Sequence, residues 1–500
     1  MKNYRILLAL LSIALVSCEK TTVNTDPAPS PKTDPEPAVS ADYEANKCLR
    51  DEIMNVYYYW ADDVRGANNK LNLNKLSIYD AFDAMLFAKD RWSWMESAES
   101  YLASKSGEVL GTWGASFTQR VDCKEAKDYN VYIRYVYPDS PLARHGVTRG
   151  AKLTGITGLD LPDHGFDSQS QLDYFNEHLM DSPQTFKFTL ANGEKVTFEE
   201  KLPKSVSTNY ILSEQVFDAD DFDGLAEPVG YFNLLSFKSG FINDLDECLS
   251  RLKKAGVKKM IVDLRYNGGG DGNVSQLLIS YLAPAGLQGK PYVVRTHNAY
   301  LSSSNVTEYI GKKNASGEYS DMSMGLDEIF FIMDNGSASA SEMVFNGLRP
   351  YLKDKLHMVG RQTYGKPNGM YVLLYPGDSK AQEKYNKGNY SDLKYVFYPI
   401  CFFNMNSEGE SIPYGPKSPS GFVPDNERPD DILHDFGVDE DRVKACLTHI
   451  VTGSYPEVPE TKSLNSVFNG LENDAFAPEW QTDPHYGTDI VNRHFLPETF

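Results

Sequence analysis

Between Val229 and about Gly453, short apolar runs of strand length alternate with segments whose apolar residues recur every three or four positions. "VGYFNLLSF", "KKMIVDL", "EIFFIMD", "LHMVG" and "MYVLLYP" read as buried strands. "GFINDLDECLSRLKKAG" reads as a helix, with Ile242, Leu245, Leu249 and Leu252 on one face and Gly256 as its cap. "NVSQLLISYL" and "SEMVFNGLRPYL" are two more helices. Such interleaving predicts an α/β layered core over residues 225–455.

Ahead of that core the pattern changes twice. Residues 106–204 carry short alternating runs, "NVYIRYVYP", "AKLTGITGL", "TFKFTLANG" and "EKVTFEEKL", the last two joined by a turn at Asn192-Gly193, which predicts a compact β-rich module. Residues 42–105 hold "CLRDEIMNVYYYWADDV" and "LSIYDAFDAMLFAKD", apolar at helical spacing, so a small helical domain is expected there. Residues 18–41 are rich in Pro, Thr, Ser and Asp without an apolar period and read as a tether; residues 456–500 receive no fold.

The first seventeen residues have a basic start (Lys2, Arg5) and an apolar run from Ile6 to Val16, too short for a spanning helix and typical of a secretory signal. Leu15-Val16-Ser17-Cys18 resembles the bacterial lipobox, which implies cleavage before Cys18 and lipidation of that residue. The expected location is therefore the bacterial cell envelope, on the outer membrane or facing the periplasm, with lipid at Cys18 as the membrane attachment. A net charge of −20 repels phosphate backbones and anionic headgroups, so nucleic acid is not expected as a partner. The five cysteines after Cys18 have no C-x-x-C or metal-ligand spacing and read as buried thiols.

Candidate chemistry concentrates in "IFFIMDNGSASASE". A buried strand stops at Asn335-Gly336 and a helix begins a few residues later, so a serine there sits on a tight turn beside outward-pointing N–H groups that favour developing negative charge. Ser337, Ser339 and Ser341 serve equally well as helix caps on this evidence alone. A base is needed for nucleophilic attack. No histidine stands in an H-E-x-x-H pattern, and the G-x-S-x-G elbow is absent. Lys366, in "HMVGRQTYGKPNGM", lies 27 positions after Ser339 between apolar strands. To act as a base it must be neutral, which costs the ammonium form about 4–5 kcal/mol if its pKa falls from ~10.4 to ~7. Gly360-x4-Gly365-Lys366 also matches the opening of a phosphate-binding loop, but Pro367 and a strand follow where Ser or Thr and a helix are required. "FDADDFDG" fails as a calcium loop, because the first and twelfth ligand positions fall on Ala219 and Gly230.

Taken in order, "VGYFNLLSF", "MIVDLRYNGGG", "NGSASASE" and "VGRQTYGKPNG" resemble the C-terminal processing (tail-specific) peptidases, serine–lysine enzymes with a crotonase-like α/β core behind a PDZ domain. The resemblance implies Ser339 as nucleophile, Lys366 as base, and the backbone N–H groups of Gly269 and Ala340 as oxyanion donors. "VYPDSPLARHGVTRGAKLTGITGLDL" is similar to a PDZ module, which implies that the loop "GTWGASF", with Gly114, Ala115, Ser116 and Phe117, receives a peptide carboxylate; Ala151 stands where the family commonly has Asp. Many members carry Gln four residues after the lysine, where this chain has Met370. Asp263 and Arg265 read as a structural ion pair. The implied reaction is peptide-bond cleavage through an acyl-enzyme, with polypeptide substrates presented through their C-termini and no metal or organic cofactor. The competing expectation, which Met370 favours, is a peptide-binding lipoprotein without turnover.

Overall fold

The computed structural model describes residues 40–105, 108–120, 130–375, 389–414 and 420–458, with 383–384, 387 and 489–491. The signal segment 1–17, Cys18, nearly all of the tether, Cys123 and most of residues 456–500 lie outside the described residues. Among those described, no helix is long and apolar enough to cross a membrane.

The alternating segment builds one core. Strands β1 (Ile211–Phe217), β2 (Val229–Leu234), β3 (Lys259–Asp263), β4 (Glu328–Met333), β5 (Leu356–Gly360) and β6 (Asn426–Glu427) form a six-stranded sheet in chain order. β1 pairs antiparallel with β2, and all later neighbours are parallel. The first three parallel crossovers carry a helix: α1 (Ile242–Lys254) joins β2 to β3, α2 (Gly272–Leu282) lies between β3 and β4, and α3 (Ala340–Leu352) joins β4 to β5. A fourth helix, α4 (Asp441–Thr452), follows β6.

Period-two alternation divides the strand side chains between the two faces. Phe232, Met260, Val262, Ile329 and Phe331 pack with Leu245, Leu249, Leu278 and Val344 of α1, α2 and α3. Tyr231, Ile261, Phe330, Ile332 and Val359 pack with Val443, Cys446 and Leu447 of α4. Both faces are covered, which is why the strands read as continuous apolar runs. The expected end of α1 is present as Gly256 at φ +74°, in the left-handed region that closes helices.

The β-rich stretch forms an antiparallel sheet of Ala115–Arg120, Asn130–Val136, Lys152–Ile156, Gln184–Thr189 and Lys195–Glu200 with its own apolar cluster around Trp113, Ile133, Phe186 and Phe188. Gly193, at φ +86°, makes the hairpin turn that the Asn-Gly pair announces. Helix Gln169–His178, unassigned in the sequence reading, packs on it through Leu172 and Phe175.

The N-terminal helical segments do not close a core by themselves. Leu49, Met54, Tyr58, Phe82 and Met85 share one cluster with Met370, Leu373, Val396, Phe397 and Phe402. Strand Trp94–Ser97 pairs with Tyr395–Tyr398, which pairs with Leu373–Tyr375. "MYVLLYP", expected as one strand, is two. Asn368–Tyr371 joins a second sheet beside Ile400–Met405, and Leu373–Tyr375 joins the sheet with Trp94–Ser97. The four described cysteines after Cys18 are free thiols, three of them buried.

Candidate active site

Strand β4 ends at Met333 and α3 begins at Ala340, so Ser337 and Ser339 occupy the connection and Ser341 the first turn of α3, at the carboxyl edge of the parallel sheet, where open α/β sheets place their sites. Two of the three hydroxyls are committed to structure. Ser337 Oγ donates to the Leu264 carbonyl at 2.8 Å and accepts the Asp334 N–H at 3.0 Å. Ser341 Oγ donates to the Asn267 carbonyl at 2.8 Å. Both therefore tie the serine turn to the loop after β3. Ser339 Oγ is buried and has no hydrogen-bond partner among the described residues.

Ser339 also has φ +53° and ψ −112°, a conformation that costs a non-glycine residue about 1–3 kcal/mol. The same strand–turn–helix strain holds the nucleophile in the elbow turns of other hydrolases, although the surrounding glycine pattern differs here. Its strain is over-determined by neighbours. Ser339 N–H donates to Glu342 Oε2 at 3.1 Å, and the Ser339 carbonyl accepts Met343 N–H at 2.7 Å.

The loop after β3 closes on this turn. At Gly269, φ is +107°, and a Cβ there would stand 2.9 Å from Ala340 N, 2.9 Å from Ser339 Cβ and 3.0 Å from the Ala338 carbonyl oxygen. Only a glycine allows that approach. Ala340, as the first residue of α3, has an N–H without an intrahelical acceptor. The N–H of Gly269 donates at 2.9 Å to Asn267 Oδ1, whose amide nitrogen is fixed on the Leu234 carbonyl. The structure thus brings Gly269, Ser339 and Ala340 together, with the Gly269 amide already engaged.

Lys366 lies between β5 and Asn368–Tyr371 and is completely buried. Its backbone meets the serine turn through one carboxylate. Glu342 Oε2 accepts the Lys366 N–H at 2.9 Å as well as that of Ser339, while Oε1 accepts Gly365 N–H at 2.7 Å and Thr363 Oγ1 at 2.5 Å. The two backbone nitrogens are therefore no farther apart than the sum of their bonds to one oxygen. Burial pushes the Glu342 carboxyl above its ordinary range, and these four donors work against that push.

Asp263 and Arg265 do form an ion pair, at 2.9 Å with both side chains inaccessible, but the pair is part of a larger cluster. Arg265 is held bidentately by Glu440, the N-cap of α4, at 2.6 and 2.8 Å, and contacts Asp430 at 3.0 Å. Asp430 also accepts Arg149 of the β-rich module at 2.8 Å and the Tyr266 hydroxyl. Burial acts to raise Asp430, yet Arg149, Arg442 and Arg265 outweigh it and hold the carboxyl far below its usual range. Glu440 is likewise lowered, with Arg265 overcoming the burial penalty. At Asp263 burial wins, and the carboxyl is raised. These charges buttress the glycine loop from below.

The other sequence-derived positions fall elsewhere. From Ala115 onward the expected carboxylate loop is a strand, because Ala115, Ser116 and Phe117 pair with Val136, Tyr135 and Ile133, and Phe117 is buried in the module's cluster. Gly114 keeps a loop conformation at φ +70°, with its N–H donated to Thr112 Oγ1 at 3.1 Å. Met370 is fully buried among the aromatic residues of the shared cluster. Two residues before it stands a group the sequence reading passed over. Asn368 is inaccessible, and neither its amide nitrogen nor its oxygen has a hydrogen-bond partner among the described residues. A buried, doubly unsatisfied amide requires an explanation in function or ligand; between Pro367 and Gly369 the sequence showed it only as a turn residue.

Residues 228–389 match the model of Peptidase family S41. This chain carries a peptidase family S41 domain. The match begins at β2 and covers the glycine loop, the serine turn and Lys366, and the family is the one that the four motifs indicated. A "Probable CtpA-like serine protease" of Staphylococcus haemolyticus (strain JCSC1435) is 25% identical over 323 residues, 63% of this chain and 57% of the relative. A "Carboxyl-terminal-processing protease" of Picosynechococcus sp. (strain ATCC 27264 / PCC 7002 / PR-6) is 23% identical over 385 residues, 72% of this chain and 82% of the relative. The chain thus spans little more than half the length of the staphylococcal relative. A solved structure from Bacteroides fragilis NCTC 9343, assigned to the S41 proteases, superposes with a TM-score of 0.60 at 20% identity, covering 81% of this chain and 97% of that one. The two share a fold.

Proposed function

We propose that the S41 domain of this chain is a serine endopeptidase that cleaves extracytoplasmic polypeptides through a Ser339–Lys366 dyad and an acyl-enzyme. One observation carries the reading. Of the three serines, the outer two spend their hydroxyls on backbone carbonyls, while Ser339 is strained and buried and its hydroxyl has no partner among the described residues. Neutral Lys366 takes the proton from Ser339 Oγ as that oxygen attacks the substrate carbonyl. The tetrahedral oxyanion is received by Ala340 N–H and by Gly269 N–H, the latter sharing its bond with Asn267. The ammonium of Lys366 then protonates the departing amine, and water, deprotonated by the same lysine, releases the acyl group.

Asn368 takes the supporting part that Gln has in many relatives and that Met370 cannot play. The residue before a proline is held in an extended conformation, so Lys366 and Asn368, on either side of Pro367, project their side chains to the same side. The Asn368 amide oxygen, without a partner among the described residues, would accept the lysine amine in the reacting site and so orient it.

Around this centre, the two sheets and crossover helices fit a crotonase-like core, and the β-rich module fits a PDZ-like domain. Strand Ala115–Arg120 stands at that module's sheet edge, where an extended C-terminal peptide can add a strand. Lipid at Cys18 tethers the whole to the cell envelope. An active-site serine probe tests the reading. Wild type is labelled and cleaves an unfolded polypeptide, and Ser339→Ala and Lys366→Ala lose cleavage while keeping their circular dichroism. Turnover surviving in both variants sinks the dyad. Palmitate incorporation that disappears in Cys18→Ser tests the tether.

A further inference from the structure

At the opposite end of the parallel sheet from Ser339, one side-chain cluster serves no part of the peptidase site. Glu328 opens β4, His357 is the second residue of β5, and His449 lies in the last turn of α4. One donor atom from each falls within 4.8 Å of the others, the one such group among the described residues. His357 and Glu328 Oε1 are 2.9 Å apart, and Lys259 Nζ donates to Glu328 Oε2 at 2.7 Å. The two imidazole rings lie 4.9 Å apart and both rest on Phe330.

An ordinary ion-pair network explains Glu328, Lys259 and His357. It does not explain His449, whose Nδ1 is buried with no hydrogen-bond partner among the described residues. Nor does it explain Tyr455, whose buried hydroxyl also has none and whose ring lies 4.4 Å from that of His449. Two buried polar atoms without partners beside two other ligand side chains indicate a polar occupant that the protein itself does not supply.

We propose that Glu328, His357 and His449 form a binding site for a divalent transition-metal ion, of the class of Zn²⁺ or Co²⁺, with a structural role. Two imidazoles and one carboxylate are a borderline donor set suited to such ions, and they leave a coordination position for water. Tetrahedral ligands at ~2.0–2.2 Å from a metal stand roughly 3.4 Å apart, so the widest pair must close by up to about 1.4 Å while His357 and Glu328 part by about 0.5 Å, both within the reach of side-chain torsions. Lys259, kept on the second carboxylate oxygen, orients the ligand from outside. Glu328 is five residues before the end of β4 and about 17 Å from it along the strand, so the ion is remote from the peptide-cleaving groups. Its effect is to strap the C-terminal end of α4 to β4 and β5. The other end of the same helix begins beside Glu440, which grips Arg265 under the glycine loop.

Metal-stripped mature protein titrated with Co²⁺ tests this without recourse to activity. One equivalent is expected to bind with a micromolar or tighter Kd, to produce the visible ligand-field bands of low-coordinate Co²⁺, and to raise the thermal midpoint. His357→Gln and His449→Gln are each expected to weaken binding at least ten-fold. No visible band in the wild type, or unchanged affinity in both variants because other histidines bind the ion, overturns the proposal. If the variants fail to fold, Co²⁺-shifted imidazole N–H resonances in the wild type decide it. Two such resonances support the site, and none refutes it.

Discussion

Glu342 Oε2 accepts the backbone N–H of Lys366 at 2.9 Å, across 24 residues of sequence. With its bonds to Ser339, Gly365 and Thr363, this one carboxylate fixes the relative position of the serine turn and the lysine loop before any substrate arrives. Glu342→Ala leaves three N–H groups and a hydroxyl buried without an acceptor, and is expected to cost about 2–4 kcal/mol of stability. Peptide turnover should fall with it. Urea denaturation checks the first part; an unchanged midpoint would remove Glu342 from this role.

Gly269→Ala should damage the site more than its size suggests. The added methyl meets Ala340 N, Ser339 Cβ and the Ala338 oxygen at about the same short distance from three sides. At least a hundred-fold loss in kcat is expected, the scale of a missing oxyanion donor. Gly193→Ala is the control. It has positive φ as well but open space around it, so only backbone strain of about 1 kcal/mol is added and kcat should hold. Equal activities for the two variants would contradict the close approach.

The charge cluster predicts a pH signature. Glu440 has a folded pKa below its unfolded one, so its contribution is complete above about pH 4.5 and fades as pH falls through the folded value. The stability gap between wild type and Glu440→Gln should therefore be constant from pH 5.5 to 8 and narrow below about pH 4. Asp263, raised by burial, runs in the opposite sense, so the paired variant is needed to isolate Glu440. Urea titrations at several pH values measure the gap, and a gap that widens in acid would reverse the assignment.

For Asn368, the informative variant is a pair. Asn368→Ala should lower kcat by about ten-fold to a hundred-fold with little change in KM and displace the basic limb of the pH–rate profile, because the lysine loses its orienting acceptor. Adding Met370→Gln should restore part of both. A purely structural role for Asn368 would lower stability and leave the profile where it was.

Much of this was readable from the chain, for reasons that differ by element. β2 to β5 and α1 to α3 announce themselves because each is buried in a period that its own residues display. Local turn and strand context pointed to the serine turn and to Lys366, while the choice of Ser339 among the three serines and of Ala340 as donor came from the resemblance to the C-terminal processing peptidases. Glu342 was visible only as a residue near a helix start, since the donors that define its role lie 21 to 24 positions away. Glu440 and Asp430 were invisible for the same reason at greater range, 175 and 165 residues from Arg265. Of the "GASF" loop only Gly114 stays a turn, while Ala115, Ser116 and Phe117 are drawn into a strand by ladder pairing with Val136, Tyr135 and Ile133, partners that lie outside the local sequence.

The cluster that joins Leu49 and Phe82 to Val396 and Phe402 also has a meaning in time. A ribosome releases the N-terminal helices about 300 residues before the strands that cover them, a delay on the order of 15–60 s at ordinary elongation rates. During that interval Leu49, Met54, Phe82 and Met85 have only one another to bury against and lack the strands that complete their cover. The first part of this protein to be made is thus among the last to be finished, and its safe passage depends on whatever keeps nascent apolar helices from one another.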